Sequence, residues 1–329
     1  MARLVLGLGV SHTPQMSMPS ELWASYARHD RKNPNLVYHR RRWEYDDLVA
    51  ERAADGIAER IGEEAFAGLH ARAQTAVATL AETLARVAPD VVVVVGDDHH
   101  ELFSADSMPT FAVYWGDTVQ AIPPEKLWFP EVATAAWALY GDKPETYPCH
   151  AGLGEHLIRH LNGSGFDVAQ VRAQPPGESI GHTVVLVRNR IMDRAAEPLP
   201  VVPLLLNTYF EPNRPTPARC WALGKAVAAA IEAYPEDLRV AVVASGGLSH
   251  FVVDEEIDRA VLAAMKDRDE EAIAGLSGED FVSGTSEAMG WLTVGGACAA
   301  LDMEVVDYIP AYRTEAGTGC GMAMVRWTR

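Results

Sequence analysis

Three side chains in this sequence have types and settings that suit metal chemistry. His12 lies in Ser11-His12-Thr13-Pro14, directly after an apolar run at residues 4–10. His99 lies in Gly96-Asp97-Asp98-His99-His100, after a second apolar run at 91–95. Glu287 stands near the start of a helix-like stretch, Ser286-Glu287-Ala288-Met289-Gly290-Trp291. Two imidazoles and one carboxylate suit a mononuclear divalent metal such as Fe(II), with positions left open for reactants. A fourth candidate, His250, ends a further run, Ser245-Gly246-Gly247-Leu248-Ser249-His250. The glycine pair permits a tight turn that aims its ring inward. Histidine titrates near neutral pH, as a group that takes and returns a proton must.

Each of these residues also has a plainer reading. His12 suits a turn or helix cap. Glu287 suits the first turn of a helix, where the dipole favours a carboxylate. His250 suits a strand end hydrogen-bonded to backbone. His99 competes with His100, and neighbours on extended backbone point opposite ways, so both cannot easily ligate. Asp97 or Asp98 is placed to accept the second N–H of a ligating imidazole. His156 and His160 are four apart, but without a Glu next to the first they read as a helix face. His29, His39, His70 and His150 lack convergent partners and read as surface residues. Residues 317–321, Gly-Thr-Gly-Cys-Gly, lack the helix and later acid of a dinucleotide site and read as a loop before the last strand.

The elements that must position these groups follow from apolar patterning. Strand-length runs recur at 4–10, 91–95, 110–114, 184–187, 201–206, 240–244, 305–309 and 322–327. Helix-length amphipathic segments fall between them, at 45–61, 64–88, 130–140, 154–161, 217–233, 255–266 and 286–301. Alternation of the two predicts an α/β fold, with a mostly parallel central sheet flanked by helices. In such sheets ligands bind at the carboxyl ends of strands, where His12, His99 and His250 fall. His182 sits at a strand entrance. With no repeat and no Gly/Ser linker, residues 1–329 read as a single domain. Residues 14–45 differ from the rest. They carry Arg28, Arg31, Lys32, Arg40, Arg41 and Arg42 among Trp23, Tyr26, Tyr38 and Trp43. They read either as a lid offering cations to a carboxylated substrate or as a surface excursion packing its aromatics on the body.

Hydrophobic residues make up 48% of the 329 and charged residues 22%, a balance that allows a sizeable core. The net charge of −17 argues against nucleic acid or an anionic membrane as partner. Cys149, Cys220, Cys298 and Cys320 are widely spaced, which argues against a zinc ribbon or a disulfide framework. No apolar run approaches a membrane span and no signal core follows the N-terminus, so a cytoplasmic protein is expected.

Taken in order, these motifs resemble the class III extradiol ring-cleaving dioxygenases, the family of the protocatechuate 4,5-dioxygenase beta subunit. The matching features are Ser-His-x-Pro, Asp98-His99, Gly246-Gly247-Leu248-Ser249-His250, and Glu287 four residues before Trp291-Leu292. The stretches Arg219-Cys220-Trp221-Ala222-Leu223-Gly224 and Tyr234-Pro235-Glu236-Asp237-Leu238 also look like that subunit. The start, followed by Asp30-Arg31-Lys32-Asn33-Pro34, looks most like the 3-O-methylgallate and gallate dioxygenase branch.

The resemblance implies that His12, His99 and Glu287 hold Fe(II), with Mn(II) compatible, and that O2 is co-substrate. It implies that His250 is the active-site base and that His182 is a second pocket histidine. The sequence around His182 departs from the family's His-Gly-x-x-Val form. Asp98 and His100 are candidates for support around the metal. Thr13, Asn207 and Tyr209 are candidate substrate contacts. The implied reaction is extradiol cleavage of a catecholic acid: 3-O-methylgallate, gallate or protocatechuate. A homodimer is expected, and a separate small subunit is compatible but not required. Two readings stand against this one: a non-catalytic interaction protein on the same fold, and a zinc-dependent hydrolase using the same three ligands.

Overall fold

The structure, a computed structural model, describes residues 1–329. Nine strands form its central sheet: β1 (Arg3–Val10), β2 (Val91–Asp97), β3 (Phe111–Tyr114), β4 (Ala169–Val171), β5 (Val201–Leu206), β6 (Arg239–Ser245), β7 (His250–Val252), β8 (Asp302–Tyr312) and β9 (Thr318–Thr328). Their order is β7-β9-β1-β6-β2-β5-β3-β4, with β8 paired to β9. The four central strands, β1, β6, β2 and β5, run parallel. Antiparallel pairings with β9 and β3 close the two sides of this block. The fold is thus α/β with a mixed sheet that is parallel at its centre, as the alternation of runs implies.

The central strands are apolar on both faces because both faces are covered. In β2, Val91, Val93 and Val95 join one core with Val242, Trp291 and Trp327. Val92 and Val94 join the other with Leu6, Leu8, Leu80 and Val184. That split is the two-residue period of a strand.

Six helices cover the sheet or carry side chains to its strand ends: α1 (Glu63–Val87), α2 (Ala151–Gly163), α3 (His182–Leu186), α4 (Pro217–Ala233), α5 (Glu255–Asp267) and α6 (Ala288–Ala297). Helices α1 and α3 contribute to the second core, and α2, α4, α5 and α6 to the first. Helices α4 and α6 approach until backbone meets backbone. A Cβ at Gly224 would collide with the Thr293 carbonyl, and one at Gly296 with the Trp221 carbonyl.

Several elements differ from those expected from apolar patterning. Residues 184–187 are not a strand but part of α3, which a π-helical turn at Val187–Ile191 continues. Thr183 to Val187 are all buried, so this helix shows no amphipathic stripe and its β-branched run mimics a strand. His250 opens β7 rather than ending a strand, because β6 stops at Ser245. Of 317–321, all but Gly317 belong to β9, where Gly321 leaves room for the Asp258 carboxylate. The segment 45–61 breaks into a short helix, Tyr45–Glu51, and two 3-10 turns.

Residues 14–45 are fastened to the body. Trp23 is fully buried in the second core. Asp30 receives two hydrogen bonds from Arg313, each 2.9 Å, and one from Thr318. Leu36 packs with Leu48, Val252 and Ala316. Arg31 pairs with Asp46 and Arg40 with Asp280. No helix is long and apolar enough to cross a membrane. All four cysteines are free.

Candidate metal centre

The centre lies where β1, β2 and β6 end. His12 follows β1 by two residues and His99 follows β2 by two. Glu287 closes a 3-10 turn, Ser283–Glu287, that leads into α6. Helix α6 is held over the strand ends by Trp291, whose indole N–H donates to Gly246 O at 2.9 Å. The Trp291 ring fills the space that a side chain at Gly9 would need.

The Glu287 carboxylate is buried among imidazoles. Its Oε2 lies 2.8 Å from His12 Nε2 and accepts from Gly247 N at 2.7 Å. Its Oε1 lies 3.0 Å from His250 Nε2 and 4.0 Å from His99 Nε2. The His182 ring centroid is 4.5 Å from that of His12 and 5.4 Å from that of His99. Asp97 completes the cluster. Its carboxylate touches His99 Nε2, and neither of its buried oxygens accepts a hydrogen bond of good geometry.

The charges of this cluster call for a cation. Burial alone would raise the Glu287 pKa, but the His250 and His12 rings hold it well below the usual carboxylate range. Burial would likewise depress His250, but Glu287 raises it. His99, about one-third exposed at 34%, is raised by Asp97 and Glu287 against the pull of burial. Two carboxylates and several imidazoles thus gather positive charge as protons, which a divalent metal displaces when it binds. Ligating atoms of Asp97, His99 and Glu287 all lie within 4.8 Å of one another, as do those of His12, Asp97 and His182. A nitrogen and carboxylate donor set of this kind fits a divalent transition metal.

The candidates separate cleanly. His99 faces Glu287, whereas His100 has positive φ, stacks on Phe210 and meets Phe103 O with its Nδ1. Asp98 does not support an imidazole. It accepts from the backbone N–H groups of His100, Leu102 and Phe103 and so holds the loop. Asn207 does not face the cluster either. Its amide is used within its own loop, donating to Phe210 O and Asn213 Oδ1 and accepting from Phe210 N. Thr13 accepts from Gln15 N and caps a helical turn. Tyr209 does belong to the cluster, its ring centroid 5.3 Å from that of His99.

Residues 58–313 match the family model described as the catalytic LigB subunit of aromatic ring-opening dioxygenase. The chain belongs to this family. The span matched contains His99, His182, His250 and Glu287, and His12 precedes it. Curated relatives agree in kind. The chain is 37% identical over 107 residues to a gallate dioxygenase of Pseudomonas putida, covering 32% of this chain and 30% of the relative. It is 28% identical over 182 residues to a 2,3-dihydroxyphenylpropionate/2,3-dihydroxicinnamic acid 1,2-dioxygenase of Comamonas testosteroni, covering 53% and 47%. A protein of the same name from a Rhodococcus species is 28% identical over 216 residues, covering 62% and 60%. The matches thus span from under a third to three-fifths of these relatives' lengths.

In this LigB-family chain one contributor is invisible in the motifs. Glu101 Oε1 lies 2.6 Å from His182 Nδ1, and its Oε2 accepts from His99 N at 2.6 Å. The signal was a carboxylate two residues beyond the metal-ligand candidate. Its partner, however, lies 81 residues away. The other histidines are engaged elsewhere. His156 meets Ala230 O, His150 caps α2, and His29 pairs with Glu131.

Proposed function

We propose that this protein is an Fe(II)-dependent extradiol dioxygenase. It opens the ring of a catecholic acid beside the hydroxyl pair, and both atoms of O2 enter the product. The observation that carries this reading is the convergence of His12, His99 and Glu287 with two further imidazoles, His250 and His182, in one cluster around the buried Glu287 carboxylate. Fe(II) held by the first three would supply the redox chemistry that joins O2 to a catechol, and Mn(II) suits the same donors.

The protein's own groups do the rest. His250 Nδ1 lies 2.8 Å from Leu248 O, and a carbonyl can only accept, so Nδ1 carries a proton. Its Nε2 lies 3.0 Å from Glu287 Oε1, which also only accepts, so the two share a proton. With that carboxylate engaged by a metal, the ring would be neutral and Nε2 an acceptor facing the centre. His250 therefore takes a proton from a catechol hydroxyl and later returns it. Glu101 fixes the His182 ring through Nδ1, so its Nε2 edge is oriented for a hydrogen bond to a substrate oxygen. Tyr209 stands beside His99, and its hydroxyl neighbours Ser283. Burial raises that phenol's pKa, and the charge of Arg42 acts against the rise. Ser283 in turn donates to Asn35 O. Arg42, exposed and donating to Pro34 O and Asn35 Oδ1, is the cation of residues 14–45 that we assign to the substrate carboxylate, with the rest of that segment serving as a fixed wall.

The substrate we favour is gallate or 3-O-methylgallate, because the P. putida relative named a gallate dioxygenase is 37% identical over the 107 residues it matches, against 28% for the dihydroxyphenylpropionate enzymes over longer stretches. Protocatechuate and 2,3-dihydroxyphenylpropionate are the next candidates. An assembly of two copies belongs to the same reading, and light scattering would check it. The deciding experiment is O2 uptake by the anaerobically Fe(II)-loaded chain, with each of these acids and with plain catechol. Uptake with one acid is expected, and Glu287→Ala should lose both bound iron and uptake. Bound iron without uptake on any of them would overturn the reading.

A further inference from the structure

Away from the metal centre, a cavity of about 390 Å³ opens between α1, the turn that follows α3, and the residues after His12. None of the metal-centre residues lines it. Arg190 enters it from the π-helical turn at Val187–Ile191. Its guanidinium donates to Ser17 Oγ at 2.9 Å and to Gln74 Oε1 at 2.7 Å, both neutral acceptors. A guanidinium has five N–H donors, so some remain free for a ligand. No carboxylate neutralises this cation. Burial alone acts on it and pulls its pKa down to about 10. Arg190 is partly buried with no ion-pair partner, and a carboxylate would meet its free N–H groups with strong charge-assisted bonds.

The rest of the lining narrows the ligand. The Trp137 ring centroid lies 5.5 Å from the Arg190 guanidinium carbon and 5.2 Å from that of Arg194, which Asp142 pairs, and the ring lines the cavity beside the Arg190 charge. Burial, and after it the Arg190 charge, lowers the His70 pKa, so His70 adds no second cation at neutral pH. Glu21 stands exposed on the rim, and its charge opposes a dianion. The volume lies within the range of small-molecule sites. We infer that this cavity is a second binding site, which takes a small monocarboxylate with a flat aromatic body. The carboxylate bonds Arg190 and the ring lies along Trp137.

Isothermal titration of the metal-loaded chain with benzoate, and with benzamide as its neutral counterpart, tests this. Saturable millimolar binding of benzoate and none of benzamide is expected. Arg190→Gln should weaken benzoate binding by about tenfold or more, the worth of a charge-assisted bond. Thr134→Glu should weaken it too. Thr134 lines the cavity at an exposed position, so the variant leaves the Arg190 bonds to Ser17 and Gln74 intact. Glu287→Gln should bind benzoate like the wild type, which separates this site from the metal centre and from the fate of the ring-cleavage reading. No binding by the wild type, binding unchanged in both Arg190→Gln and Thr134→Glu, or binding lost in Glu287→Gln would overturn the inference.

Discussion

A single carboxylate, Glu101, links the loop that carries His99 to the helix that carries His182. Burial would raise its pKa, yet the His182 ring outweighs that and holds it down at about 2. The pair therefore behaves as a fixed ion pair that sets one orientation of His182. Replacing such an orienting partner commonly lowers activity or metal affinity by about 10–100-fold. Glu101→Ala is expected to lower turnover by about that factor while metal content stays at the wild-type level. Steady-state O2 uptake run beside metal analysis checks both halves. If metal is lost as well, Glu101 acts on His99 rather than on His182. Residue types alone made His99, Glu287 and His250 visible as candidates. They could not reveal Glu101, because nothing in the run Asp97 to Glu101 shows which of three acids turns inward. Asp98 turns to its own loop, Glu101 to a distant histidine, and Asp97 to the cluster.

At the scale of elements, the centre depends on how closely α6 seats on the sheet and on α4. The 3-10 turn before α6 carries Glu287, so any shift of α6 moves the carboxylate. Gly224 permits the approach, because any side chain there meets the Thr293 backbone. Gly224→Ala should destabilise the fold by about 1–3 kcal/mol, the usual cost of overpacking a close contact. Gly163, at the end of α2, faces open space, and Gly163→Ala there should be neutral or stabilising by up to about 1 kcal/mol. Thermal melting of the two variants checks the contrast, and equal losses would show that the α4–α6 contact is not limiting. Helices α1, α4 and α5 were legible in the sequence because each has a polar face. Helix α3 was not, since a fully buried run of Thr, Val and Leu carries no period that separates strand from helix.

Across the whole molecule, two buried polar groups tie distant parts together. Asp30 and Arg313 join residues 14–45 to the β8–β9 hairpin across 283 positions of sequence. Both are buried, at 5% and 6% exposure, so removing one charge strands the other. Asp30→Asn should cost about 3–5 kcal/mol, read as a lowered denaturation midpoint. An unchanged midpoint would mean that residues 14–45 are held by their other contacts, Trp23 and Leu36 among them. Asp258, beneath β7 and β9, accepts from Ser249 N, Ser249 Oγ and Tyr308 OH. Burial nevertheless outweighs these bonds and pushes its pKa up to about 6 from an ordinary 3.8. A raised carboxyl pKa means that the fold favours the protonated form. Its cost is absent below the ordinary value, grows between the two, and is complete above about pH 6, on the order of 3 kcal/mol. The stability of the wild type relative to Asp258→Asn should therefore fall as pH rises from about 4 to about 7. A gap independent of pH would sink that account.

The sequence by itself determined the class of fold, the central strands and the residue types at their ends. Apolar period and strand-end placement are local properties, and parallel strands buried on both faces can be read from composition alone. It also carried a resemblance to the family that the matched family model bears out. Only the tertiary structure decided which way each side chain turns. It turned His99 toward Glu287 and His100 onto Phe210, gave Asn207 and Asp98 to their loops, brought Asp97 and Glu101 inward, and fastened residues 14–45 to the body. It also made the Arg190 cavity, from residues far apart in sequence. These outcomes depend on contacts between segments tens to hundreds of positions apart, and no local pattern encodes such contacts.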